Sequence, residues 1–164
     1  MLYWGTGSPY DLFTTDRGYF YVLQDPEGCN EGSLYTKCDD DGVVALDIGE
    51  KLMGTPIVYD SVIYFTTFAP SSDRCTDGEA RLYGMNYEEC TAAFDTNGTT
   101  VAGDGDDIYL GLGAGIPSAP VVANGSVYVA TTESVDSGSS NVLMVDGATN
   151  SLSSTVSIQW RELF

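Results

Sequence analysis

The stretch that decides the fold is PIVYDSVIYFTT at residues 56–67, which recurs without a gap as PVVANGSVYVAT at residues 120–131. In each copy two short runs flank a turn pair, Asp60-Ser61 in the first and Asn124-Gly125 in the second. Val, Ile, Tyr and Thr favour strands, whereas Asp, Asn, Ser and Gly favour turns. Each copy therefore predicts a β-hairpin, and the spacing predicts a repeat of about 60 residues.

Further runs extend this repeat on both sides. YWGT at residues 3–6 matches YFTT at 64–67 and YVAT at 128–131, so the chain is expected to begin within the second strand of an earlier copy. A third apolar run follows at residues 20–25, 82–86 and 142–146, and a fourth at 43–46, 108–112 and 155–160. Four short antiparallel strands per repeat are typical of β-propeller blades. A β-sandwich with accidental internal similarity is the alternative.

We therefore predict a single all-β domain over residues 1–164, a partial β-propeller of four-stranded blades. The segment PVVANGSVYVAT at 120–131 resembles the repeats of quinoprotein-type propellers, so the blades are expected to be quinoprotein-like. The blade parts are approximately residues 1–50, 51–113 and 114–164. They make about 2.75 blades, whereas propellers close with four to eight. We expect the rest of the propeller from the N-terminal part of the same precursor or from a neighbouring subunit, with Tyr3, Trp4 and Trp160 at the interface. A short domain with its own capping arrangement is the alternative.

Composition excludes several classes of function. The 164 residues weigh 17.5 kDa and contain 6 Lys and Arg against 24 Asp and Glu, a formal net charge of −18. Such a charge repels nucleic acid and anionic lipid surfaces. There is no histidine, which removes Ser/His and Cys/His catalytic pairs and imidazole metal sites. No catalytic residue is predicted, and no apolar run is long enough for a transmembrane segment.

The four cysteines form an even set without any C-x-x-C spacing. A zinc site would need all four thiolates from distant loops, so two disulfides are the better interpretation. We predict Cys29–Cys38 and Cys75–Cys90, because each pair lies within one blade part and closes a short loop. Disulfides indicate an oxidising compartment, and therefore an exported protein whose signal peptide has been removed or lies on a longer precursor.

One acidic loop has the side chains of a candidate calcium site. Asp95, Asn97, Thr99 and Asp106 place oxygen atoms at positions 1, 3, 5 and 12 of a twelve-residue loop, with the Val101 carbonyl at position 7. The loop lacks the glycine at position 6 and the glutamate at position 12 of EF-type loops, which weakens calcium binding. The alternative is a solvated acidic surface, as for the other acidic runs.

Several pieces in a fixed order resemble a known family. They are YWGTG at 3–7, GEK at 49–51, VIYFTTFAP at 62–70 with Cys75 close behind, GAGIPS at 113–118 and WREL at 160–163. Together they resemble the C-terminal part of the PilY/PilC family, the type IV pilus tip-associated adhesins and assembly factors of bacteria. The resemblance implies a β-propeller that is exported through the periplasm to the pilus tip. It further implies docking on minor pilins, a role in pilus assembly and attachment, and EF-like calcium loops.

Two other functions remain open at the level of sequence. Quinoprotein-like repeats suggest a dehydrogenase that uses pyrroloquinoline quinone, but such enzymes commonly carry an adjacent Cys-Cys pair, which this sequence lacks. We therefore expect neither enzyme activity nor this cofactor. The second alternative is an independent β module that binds carbohydrate or another surface.

Overall fold

The secondary structure of the described residues consists of β-strands, without any helix. The computed structural model describes residues 2–7, 10–12, 15–24, 35–36, 43–73, 75–87, 91–95, 107–132 and 142–146. The strands are β1 (Leu2–Gly5), β2 (Arg17–Gln24), β3 (Tyr35–Thr36), β4 (Val43–Ile48), β5 (Lys51–Leu52), β6 (Ile57–Tyr59), β7 (Val62–Ala69), β8 (Glu79–Asn86), β9 (Tyr109–Ala114), β10 (Val121–Ala123), β11 (Ser126–Ala130) and β12 (Val142–Asp146). The predicted all-β class is confirmed.

The strands form three antiparallel sheets, and none of these sheets closes on itself. In the first sheet β2 is central, with β1 on one side and β3 and β4 on the other. The second sheet has the order β5-β7-β8-β9, and β6 also pairs with β7. The third sheet has the order β10-β11-β12. With β3 and β5 set aside, strands that follow each other in the chain are neighbours in each sheet.

Both predicted hairpins are present and have the same register. Tyr59 pairs with Val62 across the first turn, and Ala123 pairs with Ser126 across the second. Both turn residues have positive φ in each hairpin, as a two-residue type I′ turn requires. The second residue of the turn is Gly125 in one hairpin and Ser61 in the other. Glycine adopts positive φ without steric cost, whereas Ser61 has a Cβ and still adopts a φ of 64°.

The second sheet lies between the other two and is covered on both faces. We call the face of a sheet that packs on the preceding sheet in chain order its leading face, and the opposite face its trailing face. The leading face of the second sheet packs on the trailing face of the first, where the Phe20 and Phe65 rings stack at 3.8 Å between centroids. The buried residues of this first interface are Phe20, Val22, Leu46, Ile63, Phe65, Tyr83 and Met85.

In the interface between the second and third sheets, the buried residues of the third sheet are all valines. Tyr64 and Leu82 on the trailing face of the second sheet pack with Val127 and Val129 on the leading face of the third. Phe94 fills the space above Gly84, where an added Cβ would lie 2.6 Å from the ring. Because side chains alternate along a strand, β7 supplies residues to both interfaces.

Some features differ from the predicted blades or lie beyond the described residues. The second sheet has a fifth strand, β5, which pairs with the far end of β7 beyond the predicted hairpin. The first sheet has an additional short strand, β3. The run at residues 155–160, predicted as the last strand, lies outside the described residues.

The two hairpin turns allow a reciprocal test. Replacing Ser61 with Gly should raise the free energy of unfolding by about 0.5–1 kcal/mol, because it removes the cost of positive φ on a residue with a Cβ. The matched Gly125→Ser change should lower it by about 1 kcal/mol through backbone strain alone, since the nearest atom to an added Cβ is 3.7 Å away. Urea unfolding of both variants measures the difference. Equal effects of the same sign would contradict the turn assignment.

Candidate functional site

An exposed row of large apolar side chains lies on the face of the first sheet opposite the one that packs on the second sheet, and we also call this its leading face. Trp4 on β1 and Tyr21 on β2 are direct cross-strand neighbours, and their rings stack with centroids 5.1 Å apart and planes 18° apart. Tyr19 lies beside Tyr21, with ring centroids 6.3 Å apart. Leu2, two residues before Trp4 on the same face, is 59% exposed, and Trp4 is 38% exposed. We call these four residues the aromatic face.

Alternation along β2 explains why the aromatic face exists. Tyr19 and Tyr21 point to one side of the sheet, whereas Phe20 and Val22 point to the other and are fully buried. The first sheet is therefore apolar on both faces, although its described residues are covered on only one. Large aromatic side chains at an exposed position are enriched in protein interfaces.

A buried carboxylate cluster lies at the end of the first interface. Glu50 is completely buried in the connection between β4 and β5. Its Oε1 accepts hydrogen bonds from the hydroxyls of Thr67 and Tyr83, the latter at 2.9 Å. Its Oε2 accepts from the backbone N–H of Asp47 at 2.8 Å and from Arg81 at 3.1 Å. These donors satisfy both oxygens of the buried carboxylate and offset the cost of removing its charge from water.

Arg81 connects the buried carboxylate to solvent. It also bonds Asp47 at 2.7 Å and Glu79 at 2.8 Å, and its guanidinium lies 4.5 Å from the centre of the Tyr109 ring. Partial burial lowers the pKa of Arg81, but the hydrogen bonds to Asp47 and Glu79 and the charge of Glu50 outweigh it, so the pKa is raised. Arg81 stays a cation and balances Glu50.

Tyr83 is held neutral in the same cluster. Burial, and next the charge of Glu50 and the hydrogen bond to it, raises the pKa of the Tyr83 phenol. The hydroxyl therefore acts as a donor to Glu50. The cluster links the β4–β5 connection to β7 and β8. Its hydrogen bonds therefore hold this connection against the second sheet.

Sequence reasoning missed this cluster. GEK at residues 49–51 entered only as a piece of the family resemblance, and nothing in its local pattern indicates burial. The one available signal was a pair of charged residues, Glu50 and Lys51, directly beside a strand-forming repeat. Lys51 is 1% exposed, and its Nζ donates to the Gly49 carbonyl at 2.8 Å.

An open cleft of about 610 Å³ lies where connections of the three sheets meet. Its apolar wall includes Ile48, Phe68 and Ile116, and its polar wall includes hydroxyls and the carboxylates of Asp73 and Asp77. Asp73 already accepts a hydrogen bond from the Cys75 N–H at 2.9 Å. The volume suits a small ligand or a peptide segment.

The predicted site residues fall in different parts of the chain. Tyr3 and Trp4 lie side by side on β1 but on opposite faces, so only Trp4 belongs to the aromatic face. Tyr3 is half-buried against the first interface, where burial, and next the charge of Tyr87, raises its pKa. Trp160 lies outside the described residues.

The disulfides and the calcium loop remain predictions. Cys75 is exposed and has no disulfide partner among the described residues, while Cys29, Cys38 and Cys90 lie outside them. Asp95 is described, but Asn97, Thr99, Val101 and Asp106 are not. Within the described ranges no group of three metal-ligating side chains is found, and no helix is long and apolar enough to cross a membrane.

Comparison with known proteins gives no match: no family model matches the chain, and neither a curated protein nor a solved structure is significantly similar to it.

The carboxylate cluster predicts unequal roles for two glutamates that bond the same arginine. Glu50→Gln should lower the free energy of unfolding by about 3 kcal/mol or more, because it removes the buried negative charge beside Arg81 and replaces one of the two acceptor oxygens with an NH2 group that faces donors. The control Glu79→Gln should change it by less than about 1 kcal/mol, since Glu79 is 47% exposed. Urea unfolding measures both. Similar losses in the two variants would show that Glu50 has no special role.

Alkaline pH provides a second test of packing. Burial, and to a lesser extent Asp60 and Tyr59, raises the pKa of Tyr64 from 10.0 to about 12. The unfolded chain therefore releases this proton before the folded chain does. The contribution of protonated Tyr64 to the free energy of unfolding is therefore complete below pH 10 and is lost as pH rises to 12. In unfolding experiments at increasing pH, Tyr64→Phe should make this decline shallower, whereas Tyr10→Phe, at a 97% exposed position, should leave it unchanged. An unchanged decline in Tyr64→Phe would contradict the assignment.

Proposed function

We propose that the chain is a non-enzymatic structural and adhesive component of a type IV pilus tip, active in pilus assembly and surface attachment. The pilus assignment is supported by the ordered sequence pieces that resemble the PilY/PilC family. The observation that favours an assembly component is the aromatic face, a stacked Trp4–Tyr21 pair exposed at one end of three layered sheets. Its partners in this proposal are minor pilins and a further propeller polypeptide, from the same precursor or a neighbouring subunit.

The geometry of the aromatic face suits a protein partner. Trp and Tyr dominate the energetics of interfaces because they bury much apolar surface with little loss of side-chain freedom. Trp4 and Tyr21 are fixed against each other by stacking, and the strands that bear them are anchored by the buried Phe20 and Val22 below. A partner therefore meets a preorganised surface.

Extracellular location and calcium belong to the same proposal. The acidic surface, with a formal net charge of −18, suits a soluble exported protein that does not bind nucleic acid. Calcium would be held by the loop that begins at Asp95, and the two disulfides would form during export.

Binding to purified minor pilins tests the proposal. The chain should co-elute with them, and Trp4→Asp should raise the dissociation constant at least tenfold, as loss of an interface hot spot does. Tyr10→Asp is the matched control, because Tyr10 is 97% exposed and lies outside the aromatic face. Failure of the wild-type chain to bind any minor pilin, with the fold intact by circular dichroism, would refute the pilus assignment.

A carbohydrate-binding module is the second candidate, and the partly exposed rings of Trp4 and Tyr19 favour it. Aromatic rings offer a flat apolar surface with polar edges, which suits a sugar ring. A glycan array distinguishes the two functions. Binding of one sugar class that shields Trp4 from a fluorescence quencher, together with no pilin binding, would select the second candidate.

A further inference from the structure

The turn of the second hairpin contains an exposed asparagine that is followed by glycine. Asn124 is exposed in the turn between β10 and β11, where Ala123 pairs with Ser126. Glycine places no side chain beside its backbone nitrogen, so this nitrogen meets little hindrance when it approaches the preceding side-chain amide. The Asn124-Gly125 pair therefore meets the chemical requirements for deamidation.

Deamidation at this pair needs only water and a base. The Gly125 nitrogen gives up its proton and bonds to Cγ of Asn124, the side-chain amide leaves as ammonia, and a five-membered succinimide ring results. Water then opens the ring at one of its two carbonyl carbons. Opening at Cγ leaves an aspartate in a normal main chain, whereas opening at the backbone carbonyl leaves an isoaspartate whose main chain runs through Cβ and Cγ.

The backbone of Asn124 already has one of the two dihedral angles that ring closure requires. Its φ is 52°, close to the value of about +60° at the first central residue of type I′ and type II′ turns alike. The ring further requires the Gly125 nitrogen to eclipse Cβ of Asn124, which corresponds to a ψ of about −120°, the type II′ value. Rotation of the peptide plane between the two residues converts type I′ into type II′, and both types join paired strands. The ring can therefore close while β10 and β11 stay paired.

Little restrains the peptide plane between Asn124 and Gly125. Across the described residues, no hydrogen bond holds the Asn124 side-chain amide or the Gly125 N–H. The atom nearest to an added Cβ at Gly125 is the Tyr59 hydroxyl oxygen, 3.7 Å away, so the turn is not packed tightly against the first hairpin. Among these residues, neither hydrogen bonding nor packing opposes the rotation.

We propose that Asn124 is a deamidation site of the folded chain and that its two products differ in their effect on the third sheet. The first hairpin shows how an aspartate fits this position, because Asp60 occupies the equivalent place in its turn with a φ of 48°. Conversion to aspartate should therefore preserve the hairpin. Isoaspartate adds one main-chain atom to a turn whose type and register depend on a two-residue length, so it should disturb the pairing of β10 with β11.

The disturbance from isoaspartate reaches the interface with the second sheet. Val122 on β10 pairs with Val127 on β11. Val127 is completely buried in that interface, and Val122 packs against the same cluster. A displaced β10 therefore weakens the apolar contact that holds the third sheet. The site belongs to a different sheet from the aromatic face, so this modification goes beyond the proposed function and does not depend on it.

Ageing of the purified chain at mildly alkaline pH tests the site. Peptide mapping with a protease that separates Asn124 from Asn97, which also precedes a glycine, should show conversion of Asn124 to aspartate and isoaspartate. Gly125→Ser should slow the conversion about tenfold, because a Cβ then crowds the attacking nitrogen. Ser61 adopts positive φ at the same position of the first hairpin, so this variant retains the turn. An Asn124 that keeps its amide for the time in which an unfolded peptide of residues 120–131 loses it would overturn the proposal.

Urea distinguishes reaction in the folded chain from reaction after unfolding. The population of the unfolded chain rises exponentially with urea concentration, since the free energy of unfolding falls linearly. The rate at Asn124 should stay nearly constant up to the start of the unfolding transition, because the hairpin reacts while folded. A rate that rises steeply with urea below the transition would show that only the unfolded chain reacts, and it would contradict the proposal.

The Asn124→Asp variant separates the effect of charge from that of the extra main-chain atom. It has the same added negative charge as the aged chain but a normal main chain. Amide hydrogens of β10 to β12 should exchange about tenfold faster in the isoaspartate-containing chain, because its third sheet opens locally at a lower free energy. In Asn124→Asp they should exchange as in the unmodified wild type. Equal acceleration in Asn124→Asp would attribute the loosening to charge and refute the proposed difference between the products.

Minor-pilin binding distinguishes the modification from the proposed function. A chain that keeps Asn124 intact but binds minor pilins would refute the deamidation site and retain the pilus role. A chain that deamidates at Asn124 but binds no minor pilin would do the reverse.

Discussion

The alternation of side chains along β7 is the constraint on which the rest of the structure depends. Ile63 and Phe65 point to the first sheet, while Tyr64 between them points to the third. A slip of one residue in the pairing of β7 would exchange these two sets and place each against the wrong neighbour. The two-residue turn at Asp60-Ser61 fixes the register on one side, and eight paired residues of β8 fix it on the other.

The carboxylate cluster adds a directional element to packing that is otherwise apolar. Stacked aromatic rings hold the first two sheets together but tolerate sliding, whereas a buried Glu50 must keep its donors. Thr67 and Tyr83 come from two adjacent strands, and Arg81 approaches from the solvent side. The cluster therefore defines the position of the β4–β5 connection relative to the second sheet more narrowly than apolar contact does.

The sequence predicted the features that depend on residues close together in the chain. The strand–turn–strand units, their shared register and the all-β class follow from alternating β-branched and aromatic residues around turn pairs such as Asn124-Gly125. Contacts between residues far apart in the chain could not be predicted from local patterns. Glu50 acquires its side-chain donors from residues 17 to 33 positions away, and Phe94 reaches Gly84 only once the segment after β8 has folded back. Trp4 was predicted at an interface, but its stacking on Tyr21 required the β1–β2 register.

The two inter-sheet interfaces differ in composition, and this difference affects how easily each sheet separates from its neighbour. Between the first and second sheets, an aromatic stack and the Glu50 hydrogen bonds must be lost together. Between the second and third, Val127, Val129 and Val145 supply smaller side chains. Amide hydrogens of β10 to β12 should accordingly exchange with solvent through lower-energy excursions than those of β7 and β8, which makes the third sheet the region that detaches first.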